Sequence, residues 1–261
     1  MLSKVVSSQE YTMAGKILDI ETGKPVVFAN IGFFKKNIGT VSEFSGAFKL
    51  NIGEDFLRDS LTISHISYES VSIPFKEGKG QTIFLKPLKN ELEEVLLKSR
   101  KIRTKKLGVK TYNRLLWLDG VSKEDDILEN AQWINIPDGR VRIKAVNVFL
   151  RNGFEADSAY IRLNFYNRNE LGEPDEKIVY KHVLKKKKIE QGWLKLDLTK
   201  DDLYLEEDFF IGVEFIPNFK SPQEVFIGAI LTKGKGYHKT SSQGTWKKIE
   251  GASAINVDIE Y

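Results

Sequence analysis

The residues able to perform metal or nucleophilic chemistry are few in this sequence of 261 residues. It has no cysteine, which excludes thiolate metal sites, a cysteine nucleophile and any disulfide framework. Its three histidines, His65, His182 and His238, lie far apart, and none belongs to an H-E-x-x-H motif or another paired spacing. We therefore predict no metal site and no cofactor.

Hydrolytic chemistry has little more support. No G-x-S-x-G motif occurs, so a serine nucleophile has no local signature. The acidic groups at 124–126 and 206–208 adjoin predicted turns, where solvated charge is the usual explanation. We predict no catalytic residues and no enzymatic activity. A hydrolase with dispersed carboxylates ranks third among our hypotheses, and a cleft holding two carboxylates about 5–10 Å apart would support it.

A glycine-rich basic segment provides the candidate ligand site. Residues 234–242 do not have the G-x-x-x-x-G-K-[ST] spacing of a phosphate loop, and no helix pattern follows them. Loops at the ends of sandwiches often bind ligands. There Tyr237 and Trp246 could stack on a sugar, while His238 and Lys239 could hydrogen-bond to it. The alternative for Trp246 is packing in the core or at a sheet edge. Trp117, Trp133 and Trp193 lie in or beside apolar stretches and are predicted to be buried.

The positive charge is local. The net charge is +4, and residues 98–110 contain seven basic residues and no acidic one, whereas the rest of the chain is near neutral. A nucleic-acid-binding domain would more often spread its positive charge over a folded face. We interpret 98–110 as a basic linker and expect no nucleic-acid partner. Residues 185–188, four lysines, are interpreted as a solvated hairpin tip, with contact to anionic lipids or glycans as the alternative.

The hydrophobic pattern is that of β-strands throughout. Residues 10–97 contain about seven short alternating segments separated by turn residues, which predicts a small β-sandwich. Residues 111–261 contain eight or nine longer segments, which predict a larger, jelly-roll-like sandwich. In one of these segments, 160–166, one face is apolar and the other polar, and we expect the polar face to be solvated. No apolar run is long enough for a transmembrane helix. Residues 1–9 are predicted to be a tail.

The first block contains a series of short motifs in a fixed order. They are Gly15-Lys16-Ile17-Leu18-Asp19, Gly23-Lys24-Pro25-Val26, Ala29-Asn30-Ile31, Gly39-Thr40-Val41, Gly46-Ala47-Phe48-Lys49-Leu50 and Ile66-Ser67-Tyr68. With these motifs the block resembles, over about residues 10–97, the carboxypeptidase-like regulatory domain, a transthyretin-like, Ig-like β-sandwich. Ser67 stands where the family usually has a glycine, and Ser42, Phe44 and Ser45 stand where an acidic, turn-rich segment is usual.

The resemblance implies a non-catalytic module. In the family it accompanies metallocarboxypeptidases, and in Bacteroidetes it often precedes TonB-dependent outer-membrane transporters. The second block is similar to sandwiches that follow it in stand-alone envelope proteins. The resemblance therefore implies a non-enzymatic interaction or scaffolding protein of the cell envelope, in the periplasm or at the outer membrane, with a protein partner there. A carbohydrate-binding module is the alternative. Residues 1–9 have the small-residue spacing of a signal-peptide remnant, against the alternative of an ordinary tail.

Overall fold

The computed structural model describes residues 10–75, 78–88, 102–120, 126–151, 156–179, 181, 183–216, 224–231 and 236–261. The predicted tail and His182 lie outside these residues. The chain divides into two compact units. Unit 1 comprises Met1–Lys89 and Ser241–Thr245, and unit 2 comprises Asn90–Thr240 and Trp246–Tyr261.

The described part of unit 1 forms two sheets, with seven strands as predicted. The elements are β1 (Glu10–Asp19), β2 (Asn30–Phe33), β3 (Gly39–Val41), β4 (Ala47–Gly53), a 3-10 helix (Glu54–Phe56), β5 (Ser60–His65), β6 (Tyr68–Pro74) and β7 (Gly78–Leu85). Sheet I has the order β4-β1-β7, and sheet II has the order β3-β2-β5-β6. Within sheet I, β1 pairs antiparallel with β4 and parallel with β7.

The core of unit 1 lies between its two sheets. Alternate residues of β4 and β5, such as Phe48, Leu50 and Leu61, point into it, as the period of two in the sequence predicts. Ser42, one of the departures from the family pattern, is fully buried. Its hydroxyl donates a hydrogen bond to the carbonyl of Val26 (2.7 Å) and accepts one from the amide of Ala29 (2.8 Å). The buried hydroxyl is thus satisfied by backbone on both sides.

The described part of unit 2 also forms two sheets. The strands are β8 (Thr104–Gly108), β9 (Asn113–Asp119), β10 (Glu129–Ile134), β11 (Val141–Leu150), β12 (Ala156–Arg168), β13 (Pro174–Lys177), β14 (Val183–Ile189), β15 (Gly192–Asp197), β16 (Leu203–Leu205), β17 (Phe209–Phe215), β18 (Phe226–Ile230), β19 (Gly236–Lys239), β20 (Lys247–Lys248), β21 (Ala252–Ser253) and β22 (Ile255–Glu260). Sheet III has the order β13-β12-β17-β10-β19-β20, with β14 paired to β12. Sheet IV has the order β21-β18-β11-β22-β8, with β15 and β16 paired to β11 and β9 paired to β18.

Successive strands of unit 2 cross repeatedly between its sheets. β10, β12, β17 and β19 belong to sheet III, whereas the intervening β11, β16 and β18 belong to sheet IV. This alternation is typical of a jelly roll. The residues that face each other across the sheets form one apolar core. Unit 2 is therefore the second, larger β-sandwich that the pattern predicted.

A bulge explains an irregularity in the pattern of β11. Its pairing with β22 shifts register between Ile143 and Ala145. Before the shift Val141 and Ile143 face the core, and after it Val146 and Val148 do so. A bulge adds one residue to one strand, so the inward positions change from odd to even.

The linker prediction for residues 98–110 is wrong for β8. This strand pairs with β22 at the edge of sheet IV. Its Leu107 is buried in the core of unit 2, whereas the neighbouring Lys105 and Lys106 are exposed, and Lys106 pairs with Asp258 at 3.2 Å. Exposed lysines are a common feature of edge strands, where they oppose pairing with another chain. The lysines of this part of the basic tract therefore lie along an edge strand of sheet IV and not in a linker. Within the described ranges, no helix is long and apolar enough to cross a membrane.

Candidate functional site

The outer face of sheet III is polar but buried. Ile161, Leu163 and Phe165 of β12 face the core, so the intervening Arg162 and Asn164 face outward. The pattern predicted a solvated face, and this prediction is wrong, because Arg162 and Asn164 are only 4% and 5% exposed. Buried charges need partners, because the transfer of an ion from water into a protein interior costs on the order of several kcal/mol even after the protein has relaxed around it.

Those partners form what we call the buried ionic network. Tyr166, Asn164 and Lys239 donate hydrogen bonds to the Glu129 carboxylate, each over 2.9 Å. Burial opposes ionisation of this carboxyl, but the ammonium groups of Lys239 and Lys177 outweigh it and lower the pKa of Glu129 to about 2. Glu129 is therefore ionised at neutral pH. The members of the network are Glu129, Arg162, Asn164, Tyr166, Lys177, Glu214 and Lys239.

The second carboxylate of the network has the opposite tendency. Glu214 forms an ion pair with Arg162 and accepts a hydrogen bond from Asn164 Nδ2 over 3.0 Å. Burial raises its pKa; Arg162 opposes this shift, and the negative charge of Glu129 adds to it. The Asn164 amide nitrogen thus touches two carboxylates, one held ionised and the other biased toward its protonated form.

The amide oxygen of Asn164 faces a lysine. Lys177 Nζ donates to Asn164 Oδ1 over 2.8 Å. Burial lowers the pKa of the Lys177 amine to about 8, partly opposed by the Glu214 carboxylate. Burial also raises the pKa of the Tyr166 phenol well above its ordinary value, with Glu129 adding to the shift. The network therefore brings together a weakly basic amine, an amide and two carboxyl groups.

Of the four residues predicted as a ligand site, Lys239 belongs to this network, and Tyr237 and Trp246 belong to the aromatic cluster that contains Tyr166. Tyr237 is a β19 residue, only 4% exposed, and its ring packs edge-to-face on Phe210 at 5.4 Å. A sugar cannot stack on Tyr237 in this position. Lys239 pairs with Glu129 and lies 4.7 Å from the centroid of the partly buried Trp246 ring. Whether the four bind a ligand remains a prediction.

His238 lies on the other side of β19 from Tyr237 and Lys239. It pairs with Asn130 on β10 and with Lys247 on β20. Partial burial lowers its pKa, and the charge of Lys247 adds to the effect. Because neighbouring residues of a strand point to opposite faces, His238 does not join the network of Lys239.

A second surface lies on the outer face of sheet IV, which we call the aromatic patch (Tyr112, Trp117, Phe149 and Trp193). Trp117 and Trp193 were predicted to be buried, and this is wrong, since they are 50% and 40% exposed. Trp133, by contrast, is buried as predicted. Strand alternation explains the difference. Leu194 and Leu196 face the core of unit 2, so the alternate residues Trp193 and Lys195 face outward.

Phe149 forms the floor of the aromatic patch. The Tyr112 ring stacks on it with centroids 3.6 Å apart, and Trp193 meets it edge-on at 5.4 Å. The floor depends on Gly228, because a Cβ there would stand 2.8 Å from Phe149 Cδ1. Trp117 is the partner of Gly228 across β9 and β18. The guanidinium of Arg151 lies 4.3 Å from the Trp117 ring centroid, at a distance typical of a cation–π contact.

The described residues contain no group of three or more histidine, aspartate or glutamate side chains placed to hold a metal ion. An apolar groove of about 380 Å³ lies in unit 1, lined by Met13, residues of β6 and residues of β7. It contains no ionisable side chain among its lining residues, so it offers no acid–base chemistry.

The chain as a whole has only distant similarity to known proteins. Its sequence matches no curated protein. Among solved structures it is similar to a DUF3823 family protein from Bacteroides ovatus, with 11% identity, 87% of this chain and 98% of that chain covered, and a TM-score of 0.24. It is also similar to the VP2 subviral particle of infectious bursal disease virus, with 8% identity, 97% and 64% covered, and a TM-score of 0.29. Scores this low carry no functional argument.

The family comparison concerns mainly unit 1. Residues 13–97 match the model of the CarboxypepD_reg-like domain. The match covers the strands from β1 to β7 and agrees with the resemblance carried by the motifs from Gly15 to Tyr68. The match thus confirms the resemblance to the carboxypeptidase-like regulatory domain that the sequence predicted for about residues 10–97.

Proposed function

We propose that this protein is a non-enzymatic interaction or scaffolding protein of the bacterial cell envelope. The non-catalytic character of the CarboxypepD_reg-like domain supports the first part of this proposal. The association of this domain with envelope proteins and outer-membrane transporters in Bacteroidetes supports the proposed location in the cell envelope, in the periplasm or at the outer membrane. In this proposal the second sandwich contacts a protein partner through the aromatic patch.

The composition of the aromatic patch is the observation that carries the proposal. Tryptophan, tyrosine and arginine are the residues that most often dominate binding energy at protein interfaces. Here the side chains of Trp117, Trp193 and Tyr112 are all exposed, and the Arg151 guanidinium lies against the Trp117 ring. A group of exposed apolar side chains on one sheet face is costly for an isolated domain and favours a protein-binding surface.

The test is affinity capture of the tagged full-length chain from gently solubilised native envelopes, compared with a Trp117→Ala/Trp193→Ala double variant. We expect the variant to capture at least about tenfold less of the partner than the wild type does, because central aromatic residues often dominate the binding energy of an interface. The control is Leu171→Ala, since Leu171 is a large exposed apolar side chain that lies outside the patch. Binding of the purified partner to both variants must then reproduce the difference. Equal enrichment by the double variant would remove the patch from the proposal.

A carbohydrate-binding module is the alternative, and the exposure of the two tryptophans favours it. Sugars stack on the flat faces of such rings. Glycan-array binding by the wild-type chain, abolished in the Trp117→Ala/Trp193→Ala variant, would favour the alternative over a protein partner. Loss in Trp246→Ala alone would instead support the site around Tyr237, His238, Lys239 and Trp246.

A further inference from the structure

The side-chain amine of Lys177 is in direct contact with the side-chain amide of Asn164. They lie on the paired strands β13 and β12, where Lys177 is opposite Tyr166, two residues from Asn164. The lysine amine is one hydrogen bond, 2.8 Å, from the amide oxygen. The carbonyl carbon of the same amide is therefore within reach of the amine. Such proximity replaces the entropy cost of a bimolecular encounter, which can be worth several orders of magnitude in rate, on the scale of effective molarities.

The leaving atom of the amide is also engaged. Asn164 Nδ2 donates to Glu214 Oε1 over 3.0 Å and to Glu129 Oε1 over 2.9 Å. Both carboxyl groups are fully buried. Tyr166 and Phe210 lie on the same outer face and belong to one aromatic cluster. A buried, preorganised arrangement of this kind strengthens electrostatic effects on a reacting group.

We propose that Lys177 and Asn164 react to form an intramolecular isopeptide bond that joins β13 to β12, with Glu214 as the catalytic residue. The amine nitrogen of Lys177 bonds to Asn164 Cγ, and the electron pair of the C=O double bond moves to Oδ1. Glu214, in its protonated form, transfers its proton to Nδ2. The C–Nδ2 bond breaks as the carbonyl reforms, and ammonia leaves. The new amide nitrogen returns one proton to Glu214.

The balance of this reaction requires no other reactant. One amine and one carboxamide give one substituted amide and one ammonia, and Glu214 ends in the form in which it began. The protonation preferences of the groups agree with these roles. The lowered pKa of Lys177 favours the neutral nucleophile, and the raised pKa of Glu214 favours the proton donor.

The other lysine of the network is not placed for the reaction. Lys239 Nζ contacts the Glu129 carboxylate and, at 3.5 Å, the Tyr166 hydroxyl. A carboxylate lacks the amide leaving group and carries a charge that repels a nucleophile. The geometry therefore assigns the bond to Lys177 and not to Lys239.

The test is mass spectrometry of the purified full-length protein. We expect the intact mass to lie one NH3, about 17 Da, below the mass of the sequence. Trypsin should release residues 163–168 covalently joined to residues 169–181, because the linked Lys177 is no longer a cleavage site. An intact mass equal to that of the sequence, with the two peptides separate, would overturn the proposal.

Variants distinguish the proposed isopeptide bond from other reactions that release ammonia. The Asn152-Gly153 sequence can lose ammonia by forming a succinimide, so the mass alone does not locate the loss. In Lys177→Arg and Asn164→Ala the loss should disappear, while a succinimide would persist. Lys186→Arg, at an exposed lysine of β14, is the matched control and should retain the bond. Glu214→Gln should slow its formation at least about a hundredfold, as for removal of a general acid. Loss of ammonia that persists in Lys177→Arg would contradict the proposal.

Discussion

The carboxylate of Glu129 occupies the space above Gly212, on the neighbouring strand. A Cβ at Gly212 would stand 2.0 Å from Glu129 Oε1 and 3.0 Å from Tyr166 Cε2. Gly212 pairs with Ala131 on β10 and with Asn164 on β12, so it lies in the middle of the sheet. The absence of its side chain creates room for the buried carboxylate. Glycine is needed here for space, not for an unusual backbone conformation.

Gly212→Ala should therefore destabilise unit 2. The added methyl group must displace Glu129 from Lys239 and Tyr166, and breaking a buried ion pair costs about 3 kcal/mol or more. Urea unfolding at pH 7 measures the change. Gly53→Ala is the matched control, because a Cβ there meets nothing within 4 Å. Equal stability of the two variants would show that the network tolerates the displacement.

The network should also produce a specific acid sensitivity. The pKa of Glu129 is lowered from 4.5 to about 2, so the folded state favours the ionised form. Its contribution to stability is fully present above pH 4.5 and is lost as the pH falls from 4.5 toward 2. Glu129→Gln should be less stable at pH 7 and should lack this acid-dependent loss. Urea unfolding at several pH values between 7 and 3 measures both effects.

Glu214 provides the contrasting case. Its pKa is raised, so its contribution has the opposite sign and falls as the pH rises through its ordinary range. Glu214→Gln should therefore retain the acid-dependent loss caused by Glu129. The cationic groups around these carboxyls are Arg162 of β12, which pairs with Glu214, Lys239 of β19, which pairs with Glu129, and, until it is joined to Asn164, Lys177 of β13. An acid profile unchanged in Glu129→Gln would refute this assignment.

In unit 1, Ser42→Ala should lower the free energy of unfolding. The hydroxyl satisfies the Val26 carbonyl and the Ala29 amide, and both would be left without it. Unsatisfied buried polar groups cost about 1–3 kcal/mol each. Thermal unfolding measures the loss, with the exposed Ser45→Ala as the control. Similar melting temperatures for the two variants would mean that water or a rearranged backbone replaces the Ser42 hydroxyl.

Tyr68→Phe should give an alkaline effect. Partial burial and the hydrogen bond to Asp19 (2.9 Å) raise the pKa of Tyr68 to about 12. The folded state thus favours the neutral phenol, whose contribution is present below pH 10 and declines as the pH rises toward 12. The difference in stability between wild type and Tyr68→Phe should shrink over this range. A difference that stays constant from pH 8 to 11 would contradict the assigned interaction.

The periodicity of the sequence predicted much of the fold. In unit 1 the turn residues and alternating segments identified the strands, and Phe48, Leu50, Leu61 and Ile63 are core residues as expected. Alternation reports two faces but not which of them is covered. It therefore failed for Arg162 and Asn164, whose polar face is buried in the structure.

The buried ionic network was beyond sequence reasoning for a related reason. Glu129, Asn164 and Glu214 lie far apart in the chain, and only the strand order β12-β17-β10 brings them together. Charged residues inside strongly apolar strands were the available signal, as with Glu214 between Val213 and Phe215. A buried charge requires a partner, but the sequence does not reveal the register that provides it.

The pairing of β1 with β7 constrains when unit 1 can fold. β1 is the middle strand of sheet I, and its neighbour β7 follows β1 to β6 in the chain and ends at Leu85. Their parallel pairing joins residues about 65 positions apart, such as Ile17 and Ile83, so a long loop must close before the sheet is complete. During synthesis β1 therefore waits with only β4 as a sheet partner until Leu85 has left the ribosome. A stalled or truncated nascent chain that ends before residue 78 exposes an open edge of β1, where chaperones or other chains can bind.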